Sequence, residues 1–365
     1  MKKYTIQPYS SGEEEEIIKL LQLGYEGWPP FDLKSTPLNH WLWRYRENLT
    51  KQTIISVAKN GDKLIGCLHS IPRKMKVGDS VYVCCCGPDL VVLPGYREIG
   101  VASKLDSFIN ELRKKSGMEF VYFETALPFY FRSLKKKQPL YARMAHFVRI
   151  KDIGHHLDRV FYKRKRMVHI AFRFLYFFSH MKNLLKKTYA SDSNIKISDI
   201  NRFDERINKL WDVASDSYEL MTERTDKYLN WRYCDPRGGD YIIKCAQEQD
   251  QILGYIVLRI NERKKNYPVG YIVDILTLPN RFDVADALLD AAVHFFDMNT
   301  INIIHLRLVR RHSYVKLLKK YGFINSMEKK IIFFRPYGAI ENEIAKILSD
   351  TAASIHITYG DDAFI

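Results

Sequence analysis

The chain has 365 residues, 46% hydrophobic and 27% charged, so it is long enough for two buried cores and too mixed for a fibrous or disordered protein. A net charge of +15 favours acidic partners such as coenzyme A, anionic lipid or nucleic acid. The six cysteines show neither a paired framework nor metal-ligand spacing, and Met1 to Thr5 begins no apolar signal region; a reduced cytoplasmic protein without a metal site is expected, and a disulfide-built secreted domain is not.

Taken in order, Thr5-Ile6-Gln7-Pro8 predicts a first strand, and Glu13 to Leu23 a helix with acids in its first turn and Ile17, Leu20 and Leu21 inward. Thr53 to Ala58 and Leu64 to Ile71 form a hairpin around Asn60-Gly61-Asp62, and a second turn at Val77-Gly78-Asp79 feeds a strand from Val81 to Cys86. Asp89 to Pro94 is a short branched run stopped by proline, which predicts a buried strand entering a turn at Gly95-Tyr96. Val101, Leu105, Phe108, Ile109 and Leu112 lie on one helical stripe that ends near Lys114-Lys115-Ser116-Gly117, and Phe120 to Glu124 reads as the next strand.

Between that strand and that helix stands Arg97-Glu98-Ile99-Gly100-Val101-Ala102. Glycine lets the main chain approach a ligand closely, alanine stays small, and a helix N-terminus offers amide N–H groups and a favourable dipole to an anion. A phosphate or pyrophosphate is the guest that suits such a turn, set against the plainer reading of an ordinary strand-to-helix connection.

The segment from Asp89 to Ala102, with its strand, proline, Tyr-Arg pair and Gly-Val-Ala, resembles motif A of the GNAT acyltransferases, the family related to the Gcn5 histone acetyltransferase. The resemblance implies an α/β (α+β) mixed-sheet fold and a bound coenzyme A, with acetyl-coenzyme A the default donor. It further implies that Leu90, Val91 and Val92 line the donor and offer a backbone N–H to the thioester carbonyl, and that Arg97, Glu98, Ile99, Gly100, Val101, Ala102 and Ser103 hold the pyrophosphate. Asp89 and Glu124 are the candidate bases, each also readable as a cap or an ion-pair partner. Many family members carry a tyrosine four residues before a Gly-Phe turn, where this chain has Leu134 and Leu318; Tyr130, one helical turn earlier, is the candidate acid, with Tyr141 and solvent as the alternatives. Cys84 to Cys86 read as buried small residues rather than nucleophiles.

The chain also repeats itself. Trp43-Arg44-Tyr45 returns as Trp231-Arg232-Tyr233 and Gly66 returns as Gly254, while Leu93-Pro94 matches Leu278-Pro279 and Tyr130 to Lys136 matches Tyr314 to Lys320. Two copies are expected in tandem, at 1–150 and 191–335, with a connector at 151–190 and a tail at 336–365 that holds a helix from Ala339 to Leu348 and a last strand in Ile355 to Asp362. At the turn, the second copy carries Phe282, Ala285 and Ala287 with Asp283 and Asp286, carboxylates that repel a pyrophosphate, so the second copy is expected to be degenerate. The connector is strongly basic from Arg159 to Lys187 and lacks acids there. It reads as a helix packed between the copies, or as an interfacial helix on anionic membrane; nucleic acid fits less well.

These expectations converge on an N-acetyltransferase that acts on a small-molecule amine or aminosugar in a ternary complex. A non-catalytic adaptor that uses the basic helix, and a transferase of the Fem type that uses aminoacyl-tRNA, are the rivals.

Overall fold

The computed structural model describes residues 3–25, 27–87, 89–125, 140–160, 194–326, 328 and 330–362. Tyr130 and residues 161–193 of the basic connector lie outside that set.

Strand β1 (Thr5–Pro8) is followed by helix α1 (Glu14–Gly24), with three glutamates in its first turn and Ile17, Ile18, Leu20 and Leu21 buried. Helix α2 (Pro37–Trp41) starts from a Thr36 cap and runs into a π-helical turn, Leu42–Arg46. Strands β2 (Ile54–Asn60), β3 (Lys63–Val77) and β4 (Ser80–Cys86) form the expected meander. Strand β3 runs past Ile71, where the hairpin pattern ends. Its first half pairs with β2 and its second half with β4, and on the edge opposite each of them it also meets the later strands at Leu90–Val92 and Leu220–Thr222. After β5 (Leu90–Val92) and a 3-10 turn, Pro94–Tyr96, come helix α3 (Val101–Lys115) and strand β6 (Phe120–Thr125).

Strand β7 (Leu140–Ile150) leads to α4 (Ile153–Val160). The trailing half then holds β8 (Lys196–Ile200), α5 (Arg206–Ser215), β9 (Leu220–Thr222), α6 (Asp226–Leu229) and a second π-helical turn, Asn230–Cys234. It continues through β10 (Ile242–Glu248), β11 (Gln251–Asn261), β12 (Val269–Thr277), α7 (Phe282–Met298) and β13 (Ile303–Val309). Helix α8 (Val315–Lys320), β14 (Ile324–Asn325), β15 (Lys330–Pro336), α9 (Ile340–Ser349) and β16 (Ile355–His356) complete the described chain.

The strands form one sheet in the order β1-β2-β3-β4-β6-β15-β7-β13-β12-β11-β10-β8. At its centre β15 and β7 pair antiparallel, Lys330 opposite Met144 and Phe334 opposite Leu140. Each sits beside the other half's strand: β7 pairs with β13, and β15 pairs with β6. The sheet is therefore continuous across residue 150, and the seam is closed by strands that cross it. Phe334 on β15 packs its ring 6.3 Å from Phe120 and 6.2 Å from Tyr122, burial worth about 1.5–3 kcal/mol.

Local contacts recur in the two halves. Tyr45 donates its hydroxyl to Asp89, and Tyr233 donates to Asp274 at 3.0 Å. The amide of Leu93 donates to Ile65 O and that of Leu278 to Leu253 O, each at 2.9 Å. Gly66 and Gly254 each lie under a strand carbonyl: an added Cβ would stand 3.1 Å from Val91 O in one case and 2.7 Å from Leu276 O in the other. Trp43 and Trp231 stack on one another at 5.0 Å.

Asp89 to Pro94 contributes only three residues of strand, because Asp89 takes a left-handed backbone (φ 50) that bends the chain away from β4. The last run also differs from its expectation. After the two residues of β16, Thr358 caps a 3-10 turn, Tyr359–Asp361, with its side chain accepting from Gly360 N and its amide donating to Asp361, so the chain coils inward rather than extending. All six cysteines are free thiols; Cys84, Cys85 and Cys86 are buried, and burial pushes each thiol above its ordinary pKa, which makes them inert. Among the described residues no helix is long and apolar enough to cross a membrane.

Helix α1 rests directly on β5. A Cβ added at Gly24 would come within 2.4 Å of Val91 Cγ1, beside a branched side chain with little freedom to move. Gly24→Ala is expected to cost about 1–3 kcal/mol through overpacking, read as a lower urea midpoint at unchanged slope.

Candidate active site

The site begins where two neighbouring strands part. Strands β4 and β6 pair in parallel at Cys85 opposite Val121 and Cys86 opposite Tyr122, and a final bond runs from Gly87 N to Tyr122 O at 2.8 Å. Past Asp89 the chain continues as β5, which pairs with β3 alone, so a gap opens between β5 and β6. Leu93 N donates to Ile65 O on β3. The alternation of an antiparallel ladder then turns the N–H and C=O of Val92 toward the gap. Consistently, the Val92 carbonyl accepts from Arg97 Nε at 3.0 Å, and that of Leu90 from the Tyr25 hydroxyl at 3.3 Å.

Arg97, Glu98, Ile99 and Gly100 form an exposed turn. Glu98 (φ 65) and Gly100 (φ 87) adopt left-handed backbone, which glycine takes without strain and which curls the main chain into the start of α3. The first helical bond there is Lys104 N to Gly100 O, so the amides of Val101, Ala102 and Ser103 point forward off the helix end. Helix α3 has no acid in its first turn and no side-chain cap. Val101 buries its side chain against Leu105, so only its amide is offered. The six residues singled out from the sequence are thus together at one open bend, beside the gap that Leu90 to Val92 border.

The corresponding bend in the trailing half is filled by its own side chains. Asp283 in the first turn of α7 is clasped by Arg281 at 2.8 Å, and Asp286 by Lys320 at 2.6 Å. The Tyr314 hydroxyl accepts from the Thr277 amide at 3.2 Å and lies 2.8 Å from Thr277 Oγ1, covering the amide where β12 ends.

Two carboxylates border the gap in different ways. Asp89 is only 3% exposed and receives the Trp28 indole N–H at 3.1 Å as well as the Tyr45 hydroxyl, so it ties the segment after α1 and the first π-helical turn to the bend before β5. Glu124 stands two residues beyond the last β4–β6 pair, with a side chain 7% exposed. Arg307 on β13 donates to it, and Lys330 lies 3.2 Å away. The same Arg307 reaches Asp362 at 3.1 Å and carries Tyr359 over its plane at 4.1 Å. Burial first, and then the neighbouring Asp362 charge, push the Glu124 carboxyl up to about 7, against the opposing pull of Arg307 and Lys330. A carboxyl tuned to neutrality can take a proton from an ammonium at physiological pH, which the hydrogen-bonded Asp89 is less well arranged to do.

Residues 5–133 match the family model for the acetyltransferase (GNAT) domain. This stretch is similar to a GNAT domain. No curated protein matches the sequence, but solved folds do. A probable N-acyltransferase of unknown function from Enterococcus faecalis V583 overlays with a TM-score of 0.59 at 11% identity, over 92% of this chain and 73% of that one. Saccharomyces cerevisiae N-myristoyltransferase with bound myristoyl-CoA and inhibitors gives 0.59 at 13% identity, over 93% and 81%. A GCN5-related N-acetyltransferase from Anabaena variabilis ATCC 29413 gives 0.58 at 11%, over 90% and 72%. The shared architecture therefore extends through both halves.

Within the matched residues lie the turn, the gap and Glu124; the groups that set the charge of Glu124 come from beyond them. Arg307, Lys330, Tyr359 and Asp362 were not singled out from the sequence. The Asp361-Asp362 pair at the end of an apolar tail was the one local signal, and Arg307 had none.

Proposed function

We propose that the chain is an acyl-CoA-dependent N-acyltransferase that passes the acyl group directly to an amine in a ternary complex. The observation that carries this reading is an open amide-lined turn next to splayed strands, with a carboxylate near neutral pKa on the strand across the gap. The turn has room for a diphosphate: a Cβ at Gly100 would find only the Tyr4 hydroxyl, 3.8 Å away. In this reading the backbone from Arg97 to Ser103 holds the pyrophosphate, and Leu90 to Val92 border the acyl-bearing arm, with the Val92 amide facing the carbonyl oxygen. Acyl-coenzyme A, when bound, supplies the activated thioester. Glu124 takes the proton of the incoming ammonium, and Tyr130 or solvent returns one to the leaving sulfur.

The recurring contacts support reading residues 1–150 and 191–335 as two copies of one fold that exchange their last strands, joined by 151–190 and followed by the tail at 336–365. The filled bend at Asp283 and Tyr314 supports a single donor site, in the leading copy, with the acceptor amine entering between the copies. Acetyl is the default acyl group; the myristoyl-CoA held by the yeast neighbour makes a longer chain the alternative. A cytoplasmic location and contact of 159–187 with anionic membrane follow from composition.

Free thiol released from acetyl-, octanoyl- and myristoyl-coenzyme A, with a panel of primary amines and aminosugars, tests the reading. Amine-dependent release with one chain length is expected. Release that ignores the amine, or none with any donor, would overturn it.

A further inference from the structure

Where β7 begins and β13 ends, the protein carries an open groove of about 990 Å³ that the steps above do not use. Helix α9 forms one wall and the loop 350–355 another, and Arg311 fixes that loop by donating to Thr351 O at 3.0 Å. Leu140, Ala142, Val309, Leu348 and Ile355 give the groove an aliphatic lining. Its rim is cationic: Arg143, Arg310, Arg311 and Lys346 are all exposed, and among the described residues none of them is paired with a carboxylate. Asp350 is the acid in the lining, and its side chain already accepts from the amide of Ala352 at 2.7 Å.

The groove also presents unpaired main chain. The β7–β13 ladder runs to Val309 opposite Met144 and closes with Arg310 N donating to Arg143 O at 2.9 Å. Arg310 and Arg311 then form a turn, so no strand continues alongside the first residues of β7. In an antiparallel strand alternate residues bond to alternate neighbours. Tyr141, two residues before Arg143, therefore aims its N–H and C=O at the space past the end of β13 and away from β15. Among the described residues neither group has a hydrogen-bond partner. A strand end left open in this way accepts a further chain through main-chain bonds.

We propose that this groove docks an extended, acidic segment of a partner protein, laid beside the start of β7 in line with β13. The inference does not depend on the transferase reading. The free N–H and C=O of Tyr141 call for an acceptor and a donor together, which a peptide backbone supplies and a lipid head group or a phosphate does not. A nucleic acid offers the charge but not that paired main chain. Side chains of an extended segment alternate, so Val or Leu at every second position can meet the aliphatic lining while Glu or Asp between them reach the rim. Four cations without carboxylates favour such acids, and they repel a second copy of this chain, whose own net charge is +15.

Fluorescence anisotropy of a labelled peptide that alternates Val with Glu, titrated with the full chain, tests the inference. The comparison probes are the same peptide with Lys in place of Glu, the same peptide N-methylated along its backbone, and a single-stranded oligothymidylate. Saturable binding of the Val-Glu peptide is expected, at least about tenfold tighter than that of either altered peptide. The double variant Arg143→Glu, Arg310→Glu should weaken it at least about tenfold. Lys264→Glu with Lys265→Glu changes the net charge equally, on the exposed loop at the opposite end of β13, and should leave the affinity unchanged. No saturation at millimolar peptide, equal binding of the N-methylated form, equal loss in the two double variants, or tighter binding of the oligothymidylate in the same groove would overturn the inference. Coenzyme A is absent throughout, so none of these outcomes bears on the transferase reading.

Discussion

Glu124→Gln is expected to lower kcat by about 10²- to 10⁴-fold and to leave acyl-coenzyme A affinity within about twofold. The side chain keeps its size and one accepting oxygen for Arg307 or Lys330, loses the second of those bonds, and can no longer accept the proton. The pH profile supplies the sign. With its carboxyl at about 7, the wild-type base gains activity as pH rises through neutrality, and the variant's residual rate should lose that limb. Stability should move the other way. A carboxyl whose pKa is raised by folding stabilises most below its ordinary value of 4.5, and that contribution is lost as pH climbs toward about 7. The variant's stability should be flatter over the same interval. A variant that keeps its rate would assign the proton to another group.

The second large effect concerns the turn that brings Asp362 to Glu124. Arg224 is fully buried between Asp274 and Asp361, with Nε 2.8 Å from the first and a terminal nitrogen 2.8 Å from the second. Tyr233 and Tyr255 also donate to Asp274, each at 3.0 Å, and Thr358 Oγ1 donates at 3.1 Å, so the coiled end of the chain is held to β12 by one guanidinium and its partners. Arg224→Met removes the guanidinium that bridges two buried carboxylates and leaves only His356, 3.7 Å from Asp274, beside them, a loss of about 3–5 kcal/mol. Burial alone would raise the Asp274 pKa, but Arg224 holds it below the ordinary value of 3.8. The wild type should therefore lose stability as pH falls below that value, whereas the variant, whose carboxylates prefer to be protonated, should gain as pH falls. Chemical denaturation at two pH values reads both signs. Transfer should fall as well, because the released turn carries Asp362 away from Arg307.

Much of this fold was legible locally. The acids and apolar stripe of α1, the glycine turns of the meander and the stripe of α3 are short-range patterns, and each lies within a residue or two of its expected bounds. The turn from Arg97 to Ala102 was readable because its conformation is set by glycine and by adjoining elements. The pairing of β7 with β13 and of β15 with β6 was not, since nothing in Leu140 to Ile150 says which distant strand it will join; partner choice is decided by contacts far away in sequence. Glu124 could be nominated from its strand, but its altered proton affinity depends on Asp362 and Arg307, which approach it only through that pairing. The same repeat spacing that pairs Trp43 with Trp231 also relates the Tyr45–Asp89 contact to Tyr233–Asp274, which would have marked Asp89 as part of a recurring structural bond.

Calorimetric titration of the full chain with coenzyme A and acetyl-coenzyme A bears most directly on the central claim, that the bend at Gly100 grips a diphosphate and the bend at Asp283 does not. Saturable binding of one molecule per chain is predicted for both ligands, at least about tenfold weaker in Arg97→Glu and in Gly100→Val, which forces a branched side chain into left-handed backbone. Reversing charge at the trailing bend with Asp283→Lys should leave that affinity unchanged. No heat at millimolar ligand, two molecules per chain, or equal affinity in wild type and Arg97→Glu would contradict the account.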